Sequence, residues 1–275
     1  MDEYREANLE LWNNWAKINA ASDTYDLEGF RQGKISLGPL ELEEVGDVAG
    51  KSLLHLQCHF GKDTMSWARL GATVTGADFS DEAIGLAQSL AAEVGIPAHF
   101  VLSDLYNLPN VLEGEFDIVY TTYGALGWLP DMDGWGRVAA HFVKPGGFLY
   151  VADFHPSLMV FDDPEDGEGL RLAYAYRTPP DKPLRFESKG NYADPNADYQ
   201  GIEYGWNHTM GDIVNGLINA GLQIDFLHEH HFTGDGNLFK ALQPDADARY
   251  YTLKNPIERE AVPLMFSIKA HMPEA

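Results

Sequence analysis

Asp78 stands directly behind a β-branched, alternating stretch, Ala72-Thr73-Val74-Thr75-Gly76-Ala77. A short apolar run, Ser52–Leu56, leads into a compact polar loop, Gln57-Cys58-His59-Phe60-Gly61, and then into residues with helical spacing (Met65, Trp67, Ala68, Leu70) that Gly71 terminates. Strand, loop, helix, strand and acid in that order bring a helix amino terminus beside the carboxyl edge of a parallel sheet. A carboxylate there can accept hydrogen bonds from the two hydroxyls of a ribose. The arrangement suits a nucleoside-containing ligand.

Histidines supply the candidates for proton transfer, since imidazole titrates near pH ~6.5. His155 follows Asp153 by two residues at the end of an apolar run, so in a strand both share a face. That spacing suits His155 as a general base oriented by Asp153, or else a histidine that fixes the turn at Pro156. Trp206-Asn207-His208 offers His208 as a second base, or as a helix-capping and packing residue. His228-Glu229-His230-His231 invites a metal reading, but a strand points His228 and His230 one way and Glu229 and His231 the other. One ion could not easily take all four, and no metal is expected. Cys58 has no basic neighbour to activate it and reads as packing beside Phe116–Tyr120.

The elements that must position these groups alternate along the chain. Leu9, Trp12, Ala16 and Ile18 predict an amphipathic helix over Glu6–Ala21, and a second short helix is expected near Glu41–Val45. Ser80 can cap a helix running to about Glu93, where Gly95-Ile96-Pro97 stops it. Ala98–Leu102, Phe116–Tyr120 and Phe148–Ala152 read as further strands, with a helix over Trp135–Phe142 ending at Lys144-Pro145-Gly146-Gly147. Strands separated by such helices indicate a parallel, doubly wound α/β sheet. Asp153–Tyr204 breaks the rhythm and lies on the face where open α/β sheets bind ligands, so a lid insertion at 153–204 is expected. A helix over Met210–Ala220 and strands Leu222–His228 and Val262–Ala270 follow, with a polar loop, Thr233–Glu260, between the strands.

The loop Gln57–Gly61, Asp78-Phe79-Ser80, Ser103-Asp104-Leu105, and Phe116-Asp117-Ile118-Val119 with Lys144–Gly147 downstream resemble, in order and spacing, the class I S-adenosylmethionine-dependent methyltransferases acting on small molecules. The likeness covers residues 51–155 well and 206–269 more loosely. It implies a Rossmann-like sheet of seven strands, mostly parallel with an antiparallel last strand, Val262–Ala270. It also implies a division into an N-terminal helical cap, 1–50, and a methyltransferase domain, 51–275. By resemblance, Asp78 would bind the ribose and Phe79, followed by Ser80, would lie against the adenine. Asp104 would accept from the adenine amine beside the Leu105 backbone. Gln57, Cys58, His59 and Gly61 would wrap the methionine part, and Thr121 and Tyr123 would face the reacting methyl group. The departure is the first loop, where the family commonly reads acid-x-Gly-x-Gly-x-Gly and this chain reads His55, Gln57, His59 and Gly61. Gln57 and His59 must accept the positive φ that glycines allow there, or the loop must differ. Asp63, in the next helical turn, could replace the missing acid.

The expected activity is S-adenosylmethionine-dependent methyl transfer to oxygen, nitrogen or carbon of a small acceptor. The alternatives are an NAD(P)-dependent oxidoreductase, disfavoured by the absent Gly-x-Gly-x-x-Gly, and a non-catalytic binder of the cofactor or its demethylated product. A formal net charge of −23 argues against nucleic-acid or anionic-membrane partners. A single cysteine and an amino terminus without a basic, apolar leader fit a cytoplasmic protein. Neither the acceptor nor the oligomeric state can be read from these residues. The walls of the acceptor pocket are expected from the N-terminal helix, Tyr123–Trp128, Asp153–Tyr204 and Thr233–Glu260.

Overall fold

Three helices precede the sheet in the computed structural model, which describes residues 2–162, 164, 169–246 and 249–274. Parts of the expected insertion (163 and 165–168) and of the late loop (247–248) therefore lie outside the described residues. The leading helices are α1 (Glu3–Ala21), α2 (Leu27–Arg31) and α3 (Pro39–Val45). Asp2 caps α1 by accepting from the Arg5 amide, which starts the helix three residues earlier than apolar spacing indicates. The alternating core follows as β1 (Ser52–Leu56), α4 (Lys62–Arg69), β2 (Thr73–Asp78), α5 (Asp81–Val94), β3 (Ala98–Leu102), β4 (Phe116–Thr122), α6 (Met132–Phe142) and β5 (Val143–Phe154).

Beyond β5 the chain forms β6 (Phe161–Asp162), β7 (Arg171–Leu172), β8 (Leu184–Lys189) and β9 (Gln200–Gly205). It then adds α7 (Met210–Asn219), β10 (Gln223–His230), β11 (Leu242–Pro244), β12 (Tyr251–Leu253), α8 (Pro256–Ala261) and β13 (Met265–His271). Seven strands make the main sheet in the order β10-β13-β5-β4-β1-β2-β3, and β13 runs antiparallel to both neighbours. The polar loop expected over 233–260 thus holds a small antiparallel pair, β11 with β12, and a helix. The insertion expected over 153–204 holds the hairpin β8–β9.

Both sheet faces are covered. Leu54, Leu56, Val119 and Leu149 pack under Trp135 and Phe142 of α6 and Leu217 of α7. Leu53, Ile118, Tyr120 and Tyr150 face Trp67 of α4 and Val45 of α3. The helices α6 and α7 approach through glycine, since a Cβ on Gly136 would lie 2.2 Å from the Gly216 carbonyl oxygen. The run Lys144–Gly147 does not end a helix so much as bulge the edge of β5. Pairing jumps from Phe116 with Val143 to Ile118 with Phe148, and Lys144 Nζ donates to Asp117 Oδ1 at 3.0 Å. No helix among the described residues is long and apolar enough to cross a membrane.

Helix α1 and the hairpin lie against one another. The Asn8 side-chain amide donates to the Tyr204 carbonyl at 2.8 Å, and its oxygen accepts from the Tyr204 amide at 2.9 Å. Trp15 Nε1 donates to the Gly190 carbonyl, and a Cβ on Gly201 would meet Leu11 at 2.9 Å.

Candidate active site

The carboxyl ends of β1, β2 and β4 open onto a cavity of about 870 Å³. Asp78 closes β2 and is buried at its edge. The His59 amide donates to Asp78 Oδ2 at 2.8 Å and the Ser80 amide to Oδ1 at 2.9 Å, which fixes the carboxylate and leaves each oxygen one lone pair. Burial outweighs these amides and pushes the Asp78 pKa up to about 6.

The loop before α4 takes the glycine-like shape without the glycines. Gln57 and His59 hold φ of 56° and 53°, and Gly61 follows at 73°. A left-handed residue with a Cβ costs roughly 1–2 kcal/mol, so the side chains must hold it. Gln57 Nε2 donates to the Ala125 carbonyl at 2.9 Å. The His59 ring lies edge-on to Trp12 at 5.4 Å and against Phe60 at 4.4 Å. At Gly61 no side chain is possible, because a Cβ would sit 2.5 Å from the Phe100 ring. Burial depresses the His59 pKa to about 3, which leaves the ring neutral.

A smaller cavity of about 50 Å³ adjoins the first, lined by Asp78, Phe79, Asp104, Leu105 and Tyr106. Both carboxylates therefore face one recess. At about 50 Å³ that recess is too small for a purine ring, because Arg5 of α1 reaches over it. Arg5 Nη1 donates to Asp104 Oδ2 at 3.1 Å, while the Tyr106 amide occupies Oδ1 at 3.0 Å.

Trp12 and Trp15 of α1, Trp128, Tyr25 and Tyr192 wall the larger cavity, with the tryptophans and Tyr192 packed edge to face, Trp12 on Trp128 at 5.2 Å, and Tyr25 tilted against Tyr192. The lining draws on the segments expected to build the acceptor pocket, including Glu203 of β9 and Thr233, Asp235 and Tyr250 of the late loop. It also draws on Ser36, Gly38 and Glu41, which the sequence left unmarked. Asp63 lines the same end and accepts from Ser36 Oγ. Three polar atoms there are buried without a partner: His55 Nε2, Gln57 Oε1 and Thr122 Oγ1.

Several expected site residues lie elsewhere. Thr121 alternates onto the opposite face of β4 beside Val119, fully buried away from both cavities, and Thr122 lines the cavity in its place beside the expected Tyr123. Ser80 is a structural cap, accepting from the Ala83 amide and donating to Asn13 Oδ1 at 2.6 Å. Cys58 lines the cavity but packs against Gly76 of β2 and Phe100 of β3, not beside β4.

The two histidines expected as bases reach neither cavity. His155 is buried between Ser157 Oγ at 2.7 Å and Glu229 Oε1 at 2.8 Å. Asp153 does not orient it, because its carboxylate accepts from the Gly124, Ala125 and Leu126 amides and shapes the exit from β4. His208 Nε2 donates to the Leu129 carbonyl at 2.7 Å. In β10, His228 bonds Glu44 and His230 bonds Ser267, on the face opposite Glu229.

Residues 53–147 match the methyltransferase-domain family. Over 142 residues it is 36% identical to the ubiquinone biosynthesis O-methyltransferase of Escherichia fergusonii, a match covering 50% of this chain and 59% of that enzyme. The chain thus spans less than two thirds of the curated relative it matches. An S-adenosylmethionine-dependent methyltransferase from Mesorhizobium loti superposes with a TM-score of 0.57 at 18% identity, covering 87% of this chain and 99% of that one. The glycopeptide N-methyltransferase MtfA, solved with S-adenosyl-L-methionine, superposes with a TM-score of 0.52 at 15% identity, over 86% and 88% of the two chains. These superpositions show the fold. The sheet has the expected seven strands, mostly parallel, with β13 antiparallel to its neighbours.

Proposed function

We propose that this protein transfers a methyl group from S-adenosylmethionine to a small-molecule acceptor. The observation that carries the reading is Asp78: a buried carboxylate at the end of β2, oriented by two loop amides, opening onto a cavity shared with a left-handed Gln57–Gly61 loop. Its two remaining lone pairs suit the two hydroxyls of a ribose. Phe79 offers a face to the base, and Asp104 and Leu105 line the recess where the base edge would lie. Gln57, Cys58, His59 and Gly61 border the space for the amino-acid portion, with Tyr123 across from them at the β4 exit. The cofactor, when bound, supplies an activated methyl group on a sulfonium.

The task left to the chain is to hold an acceptor in line and keep water out. Segments 1–50 and 153–204 would act as cap and insertion over that space, and the rings of Trp12, Trp15 and Trp128 give it apolar walls. Aromatic faces near a sulfonium add on the order of 1 kcal/mol each. His155 and His208 line neither cavity, and burial that depresses the His59 pKa to about 3 leaves its ring a weak base. A small metabolite in the cytoplasm is the proposed setting, on the enclosed cavity and the single cysteine.

The test is calorimetric titration with S-adenosylmethionine, S-adenosylhomocysteine and NAD, followed by transfer of labelled methyl to a panel of phenols, amines and carboxylates. Saturable binding of the two adenosyl ligands with turnover of a panel member is expected. Binding of NAD alone would overturn the reading, and adenosyl binding without any turnover would favour a non-catalytic binder.

A further inference from the structure

Strand β9 presents its side chains the wrong way round for an amphipathic ribbon. Gly201, Glu203 and Gly205 share one face, while Ile202 on the other is left exposed. Glu203 is thus the only side chain that β9 sends to the cavity, and it is a carboxylate on a wall otherwise built from aromatic rings. The backbone on either side is pinned. A Cβ at Gly201 would lie 2.9 Å from Leu11 of α1, the next residue, Tyr204, is clasped by Asn8, and the Trp206 amide donates to the Gly127 carbonyl at 2.8 Å. Close approach through glycine therefore holds Glu203 against the cavity, where hydrophobic packing would have placed Ile202.

The protein supplies this carboxylate with few partners. No lysine, arginine or histidine nitrogen lies within ion-pair distance of it among the described residues. Arg5 of α1 is committed to Asp2 and Asp104, and Arg185 of β8 to Glu187. Neighbouring side-chain donors are spent on the backbone: Trp15 Nε1 on the Gly190 carbonyl at 3.2 Å, and Trp206 Nε1 on the Pro180 carbonyl at 3.0 Å. Burial raises the Glu203 carboxyl above its usual range, and the Ser188 hydroxyl on β8 offsets this only in part. A carboxylate offers about four lone-pair sites, and burying it underused is costly. A ligand donor would relieve that cost.

We propose that Glu203 selects the acceptor, by taking a hydrogen bond from an O–H or N–H group on an aromatic molecule that lies against Trp12, Trp15 and Trp128. The rings bind the flat apolar body and the carboxylate fixes its polar edge. An anionic acceptor is disfavoured, since it would meet Glu203 charge against charge. That the bound molecule receives a methyl group rests on the methyltransferase reading, whereas the site itself does not.

Indole and benzofuran test the site, because they share a shape and only indole carries an N–H. Ligand-observed NMR titrations of both, with and without saturating S-adenosylhomocysteine, are run on the wild type and on Glu203→Gln. A charge-assisted hydrogen bond gives the wild type a ten- to hundredfold preference for indole, which Glu203→Gln reduces to a few-fold. Benzofuran and S-adenosylhomocysteine bind both proteins alike, which checks that the variant is folded. Equal wild-type binding of the pair, or of neither, overturns the proposal without recourse to the variant. A preference that survives Glu203→Gln unchanged places the donor's partner elsewhere and also overturns it. Failure of the wild type to bind any adenosyl ligand refutes the methyltransferase reading instead, and the titrations without it still decide the Glu203 site.

Discussion

Acidification should weaken adenosyl-ligand binding through Asp78 before it unfolds the protein. The carboxylate sits at a pKa of about 6 in the empty cavity because burial outweighs the Ser80 and His59 amides. Ribose hydroxyls can bond productively only to the ionised form, so affinity should track its population. That population is nearly complete at pH ~7.5 and about one tenth at pH ~5, which predicts about tenfold weaker binding of S-adenosylhomocysteine across the interval. The same group acts oppositely on the empty fold. Its folded pKa lies above the unfolded value of 3.8, so it opposes folding fully above pH about 6 and progressively less as pH falls toward 4. The ligand-induced rise in Tm should therefore shrink on acidification while this group's penalty on the free protein is relieved. Calorimetry and thermal melts over the range check both signs. Asp78→Asn should flatten its part of the profile, at a stability cost of about 1–3 kcal/mol, because the amide NH₂ must face one of the two backbone donors. An affinity that stays constant down to pH ~5 in the wild type would refute the assignment of Asp78 to the ribose.

Replacing His155 by Ala should leave methyl transfer within a few-fold while lowering stability by about 1–3 kcal/mol in urea melts, since it severs buried ties to Ser157 and Glu229. Arg5→Ala frees Asp104 and opens the small recess, and titration should find S-adenosylhomocysteine bound up to about fivefold more tightly, the scale of a partly exposed ion pair. Gly136→Ala places a methyl group against the Gly216 carbonyl and should cost about 1–3 kcal/mol or more of unfolding free energy without altering the adenosyl site.

The sheet was legible wherever short apolar runs lay between glycine, proline and acid signals. β1 and β3 match their expected residues one for one, and Ser80 and Gly95 cap α5 as their types require. Asp78 could be placed because a strand end fixes its own direction. Asp153 and His155 could not, because alternation gives a face but not the partners waiting there: four backbone amides claim Asp153, and Ser157 and Glu229 claim His155. The hairpin escaped detection for a related reason. In β9 the glycines and Glu203 turn inward while Ile202 is left exposed, which inverts the usual alternation. Glu41 and Ser36 carried no motif, and only tertiary packing of the segment before β1 against the cavity gives them a role.

The two-sided clasp of Asn8 on Tyr204 sets an order of assembly. A lone two-stranded ribbon is marginal in water, so β8–β9 gains its support from a helix made some 180 residues earlier. During synthesis the segment from the polar loop to Asp104 emerges well before the hairpin that completes the cavity wall. On the proposed function, a nascent chain would complete the Asp78 end of the cavity before the wall formed by the hairpin.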